Sequence, residues 1–178
     1  LATIIAGQNL HDFILITPNW AINDVEVGYV HFDGMVDTPG WRLDRYCQAH
    51  NNTPGNVGIW GDRTYFHDSR VTHALCGTGL RVLGNGFSVV RNFIGWNGRD
   101  RFSGDGGDPW ADGITATFCT NGEIAYNTLV DNTDVDIVTG GGNCHIHHNE
   151  INHGGKFAFA GIHVGWFDAL NGNHNGAL

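Results

Sequence analysis

Lysine is almost missing from this chain of 178 residues: Lys156 is the only one. Nine Lys and Arg stand against 18 Asp and Glu, a formal net charge of −9. A nucleic-acid partner needs a basic stripe to displace counterions, so that class is excluded. Long apolar runs are also missing, which leaves no candidate membrane-spanning helix and no membrane partner. Leu1 to Ala6 is apolar, but it is too short for a secretion signal and lacks the charged flank of one. The cysteines Cys47, Cys76, Cys119 and Cys144 contain no C-x-x-C pair, which removes zinc ribbons and dithiol redox motifs. Their even number permits two disulfides, but buried free thiols in a core are the simpler reading. With 4 Pro and no Ser/Gln tracts, the 27 Gly do not describe a linker. They describe many tight turns between short strands.

What is present repeats. Val89-Val90-Arg91-Asn92-Phe93-Ile94, Ile124-Ala125-Tyr126-Asn127-Thr128-Leu129 and Ile146-His147-His148-Asn149-Glu150-Ile151 share one pattern. Each has an aliphatic residue, Asn three positions later, and another aliphatic two beyond that. A fainter copy is Val25 to Val30, with Gly28 in the place of Asn. A second strand type follows, and its Ile114, Ile137 and Ile162 are 23 and 25 residues apart. Between Asn92 and Asn127 the spacing grows to 35 residues, and the excess falls in an inserted polar loop over 97–111. Two registers repeating together predict a coil of several short strands per turn. Each turn is too small to bury its apolar face alone, so like positions must stack. Asn suits the sharp corners because it tolerates left-handed backbone and its amide can bond along the stack.

These segments, Ser88 to Ile94, Glu123 to Leu129 and Cys144 to Ile151 with the strands at 134–137 and 160–163, resemble the right-handed parallel β-helix superfamily, the pectate-lyase-like solenoids. The resemblance implies an all-β solenoid, one domain over 1–178 whose repeats are clearest over 79–166. Alternating runs at Phe13 to Ile16 and Val25 to Phe32 fit it more loosely. Apolar ends with no obvious cap lead us to expect an excerpt of a longer helix, or an oligomer that covers the open ends. Members of the superfamily are mostly polysaccharide lyases, glycoside hydrolases, epimerases and phage tailspikes, so a secreted location and a polysaccharide or oligosaccharide partner are what the resemblance implies. The acidic, Asn- and Gly-rich composition leans the same way.

Three places carry candidate chemistry. Asn132-Thr133-Asp134-Val135-Asp136 resembles a strand of the polygalacturonase-type hydrolases, in which carboxylates serve as acid and base. The Asp-Asp, Gly-His-Gly and Arg-Ile-Lys motifs that accompany it there are absent here. Strand alternation puts Asp134 and Asp136 on one outward face, opposite Val135 and Ile137. With Asp112 they form the expected catalytic carboxylates of glycoside hydrolysis; an exposed Asp pair on a turn, or a calcium ligand set, is the plainer alternative. Histidines form the second cluster: His145, His147, His148, His153 and His163 fall within 19 residues. His147 and His163 are candidate acid–base groups and His145 a candidate substrate contact, against the alternative of stacked surface imidazoles. The third place is the inserted loop with its flanks. There Trp96 and Trp110 can stack on sugars, Arg99 and Arg101 add local positive charge, and Asp105 and Asp108 offer oxygen ligands to Ca²⁺. The overall acidity favours hydrolysis of a neutral glycan over Ca²⁺-assisted elimination on a polyanion. A non-catalytic glycan-binding or structural solenoid, of adhesin or tailspike type, is the reading from another class.

Overall fold

The computed structural model describes residues 1–5, 14–16, 22–35, 57–74, 76–98 and 110–165. Within them every regular element is a β-strand, none is a helix, and all strand pairs are parallel. The strands fall into three sheets. The first contains β1 (Ala2–Ile5), β4 (Val30–Asp33), β7 (Arg70–Thr72), β10 (Phe93–Gly95), β14 (Thr128–Val130) and β17 (Glu150–Asn152). The second contains β2 (Ile14–Ile16), β5 (Val57–Trp60), β8 (Gly77–Asn85), β11 (Ala111–Ala116), β15 (Val135–Thr139) and β18 (Ala160–Val164), with the short β12 (Cys119–Thr120) also on β8. The third contains β3 (Glu26–Gly28), β6 (Tyr65–His67), β9 (Ser88–Val90), β13 (Glu123–Ala125) and β16 (His145–His147). The chain therefore visits the sheets in rotation, completing one circuit in about three strands.

Most strands hold three to five residues and contribute one or two apolar side chains, far too few for a core of their own. Register solves this. Phe32, Val71, Ile94 and Leu129 are successive partners in the first sheet and are fully buried. Val57, Leu80, Ile114 and Ile137 do the same in the second, and Phe66, Val89, Ile124 and Ile146 in the third. All twelve belong to one hydrophobic cluster. Cutting any of its larger members to Ala costs about 2–5 kcal/mol, because the stacked neighbours cannot close the gap.

Corners are the other requirement, since a chain turning this sharply exposes backbone polar groups to burial. Between the third and first sheets, Arg91, Tyr126 and His148 adopt positive φ (58°, 56° and 52°), and an Asn follows each. Asn127 Nδ2 donates to the Val89 carbonyl (2.9 Å) and to Asn149 Oδ1 (3.0 Å), while its Oδ1 accepts from the Asn92 backbone N–H and side chain, both at 3.0 Å. Asn92 in turn bonds the Phe66 carbonyl and the Ser69 N–H.

Two sequence expectations change here. The faint copy slides by two residues, because Val27 pairs with Phe66 and the N–H of Val30 donates to Ser69 Oγ (3.1 Å). Val30, not Gly28, therefore stands at the corner position. Phe66 to Val71 is a copy that the Asn pattern missed, with Ser69 in the Asn place. Free thiols are also corrected: Cys119 and Cys144 form a disulfide (Cα–Cα 5.5 Å), Cys76 is disulfide-bonded, and no described cysteine is free. The two sulfurs meet because Cys119 and Cys144 sit on adjacent circuits, both buried in the apolar cluster.

Candidate functional site

The second sheet gathers the carboxylates. β11 and β15 are held side by side by the Ile114–Ile137 pair, and β15 and β18 by the Ile137–Ile162 pair. Asp112, at the second position of β11, is partly buried. Its Oδ2 accepts from the Thr115 hydroxyl (2.7 Å) and its Oδ1 from the Val135 N–H (3.3 Å). Asp134 enters β15 with its backbone pinned on both sides. Its N–H donates to the Ala111 carbonyl (3.2 Å), and its own carbonyl accepts from the Phe159 N–H (2.6 Å). Its side chain is half-buried, and His163 of β18 interacts with it electrostatically.

Burial and like charge govern how these two acids titrate. Burial, then the negative charge of Asp134, push the Asp112 pKa up to about 7, against the Thr115 and Val135 hydrogen bonds. Burial raises Asp134 to about 6, and the charge of His163 opposes it. Near neutrality, then, Asp134 gives up its proton first and Asp112 keeps one. A proton donor on β11 and a proton acceptor at the entry to β15 are the parts that acid–base catalysis needs.

Asp136 departs from its expected outward place. It is fully buried; its Oδ1 accepts from Asn132 Nδ2 (2.7 Å) and its Oδ2 lies 2.6 Å from His153 Nε2. The reason lies one strand back and two strands back. A Cβ on Gly79 would come within 2.6 Å of Asn97 Nδ2, and one on Gly113 within 2.9 Å of Asn132 Nδ2. The missing side chains leave a corner channel that Asn97 and Asn132 fill, joined by a 2.8 Å bond. Asp136, next in line, fills the channel with its own carboxyl group. Burial raises its pKa, against hydrogen bonds from Asn132 and His153.

The remaining expected residues divide. Trp110 directly precedes β11, and its carbonyl accepts from the Gly77 N–H (3.0 Å). Trp96 sits at a corner with φ 58°, its ring stacked on His73 (centroids 5.5 Å apart) and tilted against Phe93. His145 and His147 are on β16 in the third sheet, so the structure separates them from Asp112, Asp134 and His163 on the second. Arg99, Arg101, Asp105 and Asp108 lie outside the described residues, and the Ca²⁺ expectation with them. Among the described residues no three His, Cys, Asp or Glu side chains converge to hold a metal ion.

Sequence reasoning passed over Thr115 and Asn132 as site residues, and did not pair His153 with Asp136. Thr115 lies three positions after Asp112, which strand alternation would put on the opposite face, so their contact carries no sequence signal. The His153–Asp136 contact joins residues 17 apart through a corner and has no local signature. No family model matches the chain, and no curated protein or solved structure matches it either.

Proposed function

We propose that the three parallel sheets are the faces of a right-handed parallel β-helix, and that the protein is an extracellular glycoside hydrolase acting on a neutral polysaccharide. The observation that carries the function is the Asp112–Asp134 pair, one acid on β11 and one at the entry to the neighbouring β15, whose pKa values rise to about 7 and about 6. Asp112 donates its proton to the glycosidic oxygen as the bond to the anomeric carbon breaks. Asp134 takes a proton from the water that attacks that carbon, and one water is added across the bond. His163 favours the ionised form of Asp134, and Thr115 holds Asp112 in place.

Several observations support the architecture. The rotation of strands through three sheets, the in-register apolar ranks and the Asn stacks at the corners are what a coil of this kind requires. The Cys119–Cys144 disulfide supports an oxidising, extracellular setting. The net charge of −9 favours a neutral glycan over a polyanion.

The test is mass spectrometry of products after incubation with panels of neutral and acidic polysaccharides, with and without Ca²⁺. Fragments carrying one added water, formed fastest between pH 6 and 7, are expected. Unsaturated fragments would make the protein a lyase. No fragments from any glycan would leave a binding or structural solenoid.

A further inference from the structure

The third sheet holds a histidine pair that the proposed hydrolysis does not use. His147 ends β16, and His148 follows at a corner with φ 52°, which folds its ring back beside its neighbour. The two Nδ1 atoms face each other 2.8 Å apart, and both residues are accessible from solvent. Neighbouring strands fix both rings. Tyr126 lies parallel to His148 (4.9 Å, 19°) and edge-on to His147 (5.5 Å, 86°). His147 Nε2 lies 3.2 Å from Glu123 Oε1, and the other oxygen of Glu123 accepts from the Ser88 hydroxyl (2.9 Å).

A carboxylate can only accept, so His147 must present its proton on Nε2 to Glu123. That leaves a lone pair on Nδ1, pointing at His148. Holding a ligating imidazole through its far nitrogen by a carboxylate is the usual supporting arrangement at metal centres. In the metal-free chain the Nδ1 lone pair of His147 accepts the Nδ1 proton of His148; a cation binds between the two nitrogens once that proton has moved to Nε2 of His148 and both rings have turned their Nδ1 lone pairs onto it.

We infer that His147 and His148 form a two-nitrogen chelate for a divalent transition ion of the kind imidazole suits, such as Cu²⁺, with Glu123 as positioning residue and water completing the coordination. The site is independent of the carboxylates on the second sheet.

Titration of the intact chain with Cu²⁺ alone, followed by electron paramagnetic resonance, tests it. One equivalent is expected to give a tetragonal signal with coupling to two nitrogens. His148→Ala should remove one coupling and weaken binding at least tenfold, and Glu123→Gln should weaken it by about tenfold with both couplings kept. His31→Ala, on the first sheet, should change nothing. Binding of unchanged strength in the His147→Ala/His148→Ala double variant would overturn the proposal, as would an equal loss in His31→Ala.

Discussion

Two corners of the molecule are built alike and end differently. Between the third and first sheets, Asn92, Asn127 and Asn149 form a stack that is neutral throughout. Between the first and second, Asn97 and Asn132 begin the same kind of stack, and a carboxylate, Asp136, takes the third place. The first arrangement satisfies backbone polar groups and adds no charge to the interior. The second places an acid where burial penalises its ionised form, beside Asp112 and Asp134, whose pKa values are raised as well. Asp136 in turn adds to the repulsion felt by Asp112. The neutral Asn stack is architecture alone, while the other corner uses the same architecture to concentrate acids that are costly to ionise. Such concentrations mark functional sites more often than structural ones.

The largest expected effect separates the two corners by activity. Asp112→Asn and Asp134→Asn should each lower kcat on the cleaved glycan by about 10³-fold. Asn149→Ala, in the neutral stack, should leave kcat within about twofold. Equal losses from both corners would dissolve the distinction between them.

Stability should divide the corners the opposite way. Asn127 is buried and its side chain makes four hydrogen bonds, so Asn127→Ala should cost about 3 kcal/mol in urea unfolding, equally at pH 5 and pH 8. Asp112→Asn should instead show a pH-dependent sign. The pKa of Asp112 in the folded chain, about 7, lies above its ordinary 3.8, so the folded state holds an extra proton between those values. Stability therefore falls as pH rises through that window and levels off above it. Asparagine abolishes the penalty, so the variant should be more stable than the parent by about 2 kcal/mol at pH 8, after allowance for one weakened hydrogen bond. At pH 5 it should be slightly less stable.

The smallest effect concerns a surface pair at the neutral corner. Arg91 binds Asp68 through two bonds of 2.9 and 2.6 Å, and with His67 it holds the Asp68 pKa at about 2. Arg91→Ala should let that pKa climb toward the ordinary carboxylate range, as read by NMR titration. The pair's contribution to stability is present above the ordinary carboxylate pKa and is lost as pH falls toward 2. Both side chains are solvent-accessible, so unfolding at neutral pH should hardly change.

Much of the strand register was legible in the sequence, for a simple reason. Ile114, Ile137 and Ile162 repeat because each must sit beside the next, and they are direct strand partners. Asn92, Asn127 and Asn149 repeat because a corner with left-handed backbone needs an amide that bonds both ways. The copy at Phe66 to Val71 escaped notice because Ser69 meets the same need with a hydroxyl, accepting from the Val30 N–H. At the site, the outward placement of Asp136 failed because simple alternation ignores what neighbouring strands leave open. Gly79 and Gly113 create the channel, and neither is adjacent to Asp136 in sequence. The His153–Asp136 contact and the disulfide of Cys119 with Cys144 are likewise products of stacking, visible only once circuits lie one upon another.

Two acids at the second sheet, Asp112 and Asp134, keep protons at a pH where ordinary carboxylates have lost them. Carbon-13 NMR titration of the aspartate carboxyl groups, assigned with Asp112→Asn and Asp134→Asn, measures this directly. Midpoints near 7 for Asp112 and near 6 for Asp134 are the expected result, with the Asp112 midpoint falling when Asp134 is replaced. Midpoints near 4 for both would leave no proton donor at neutral pH, and the hydrolase reading would fall with them.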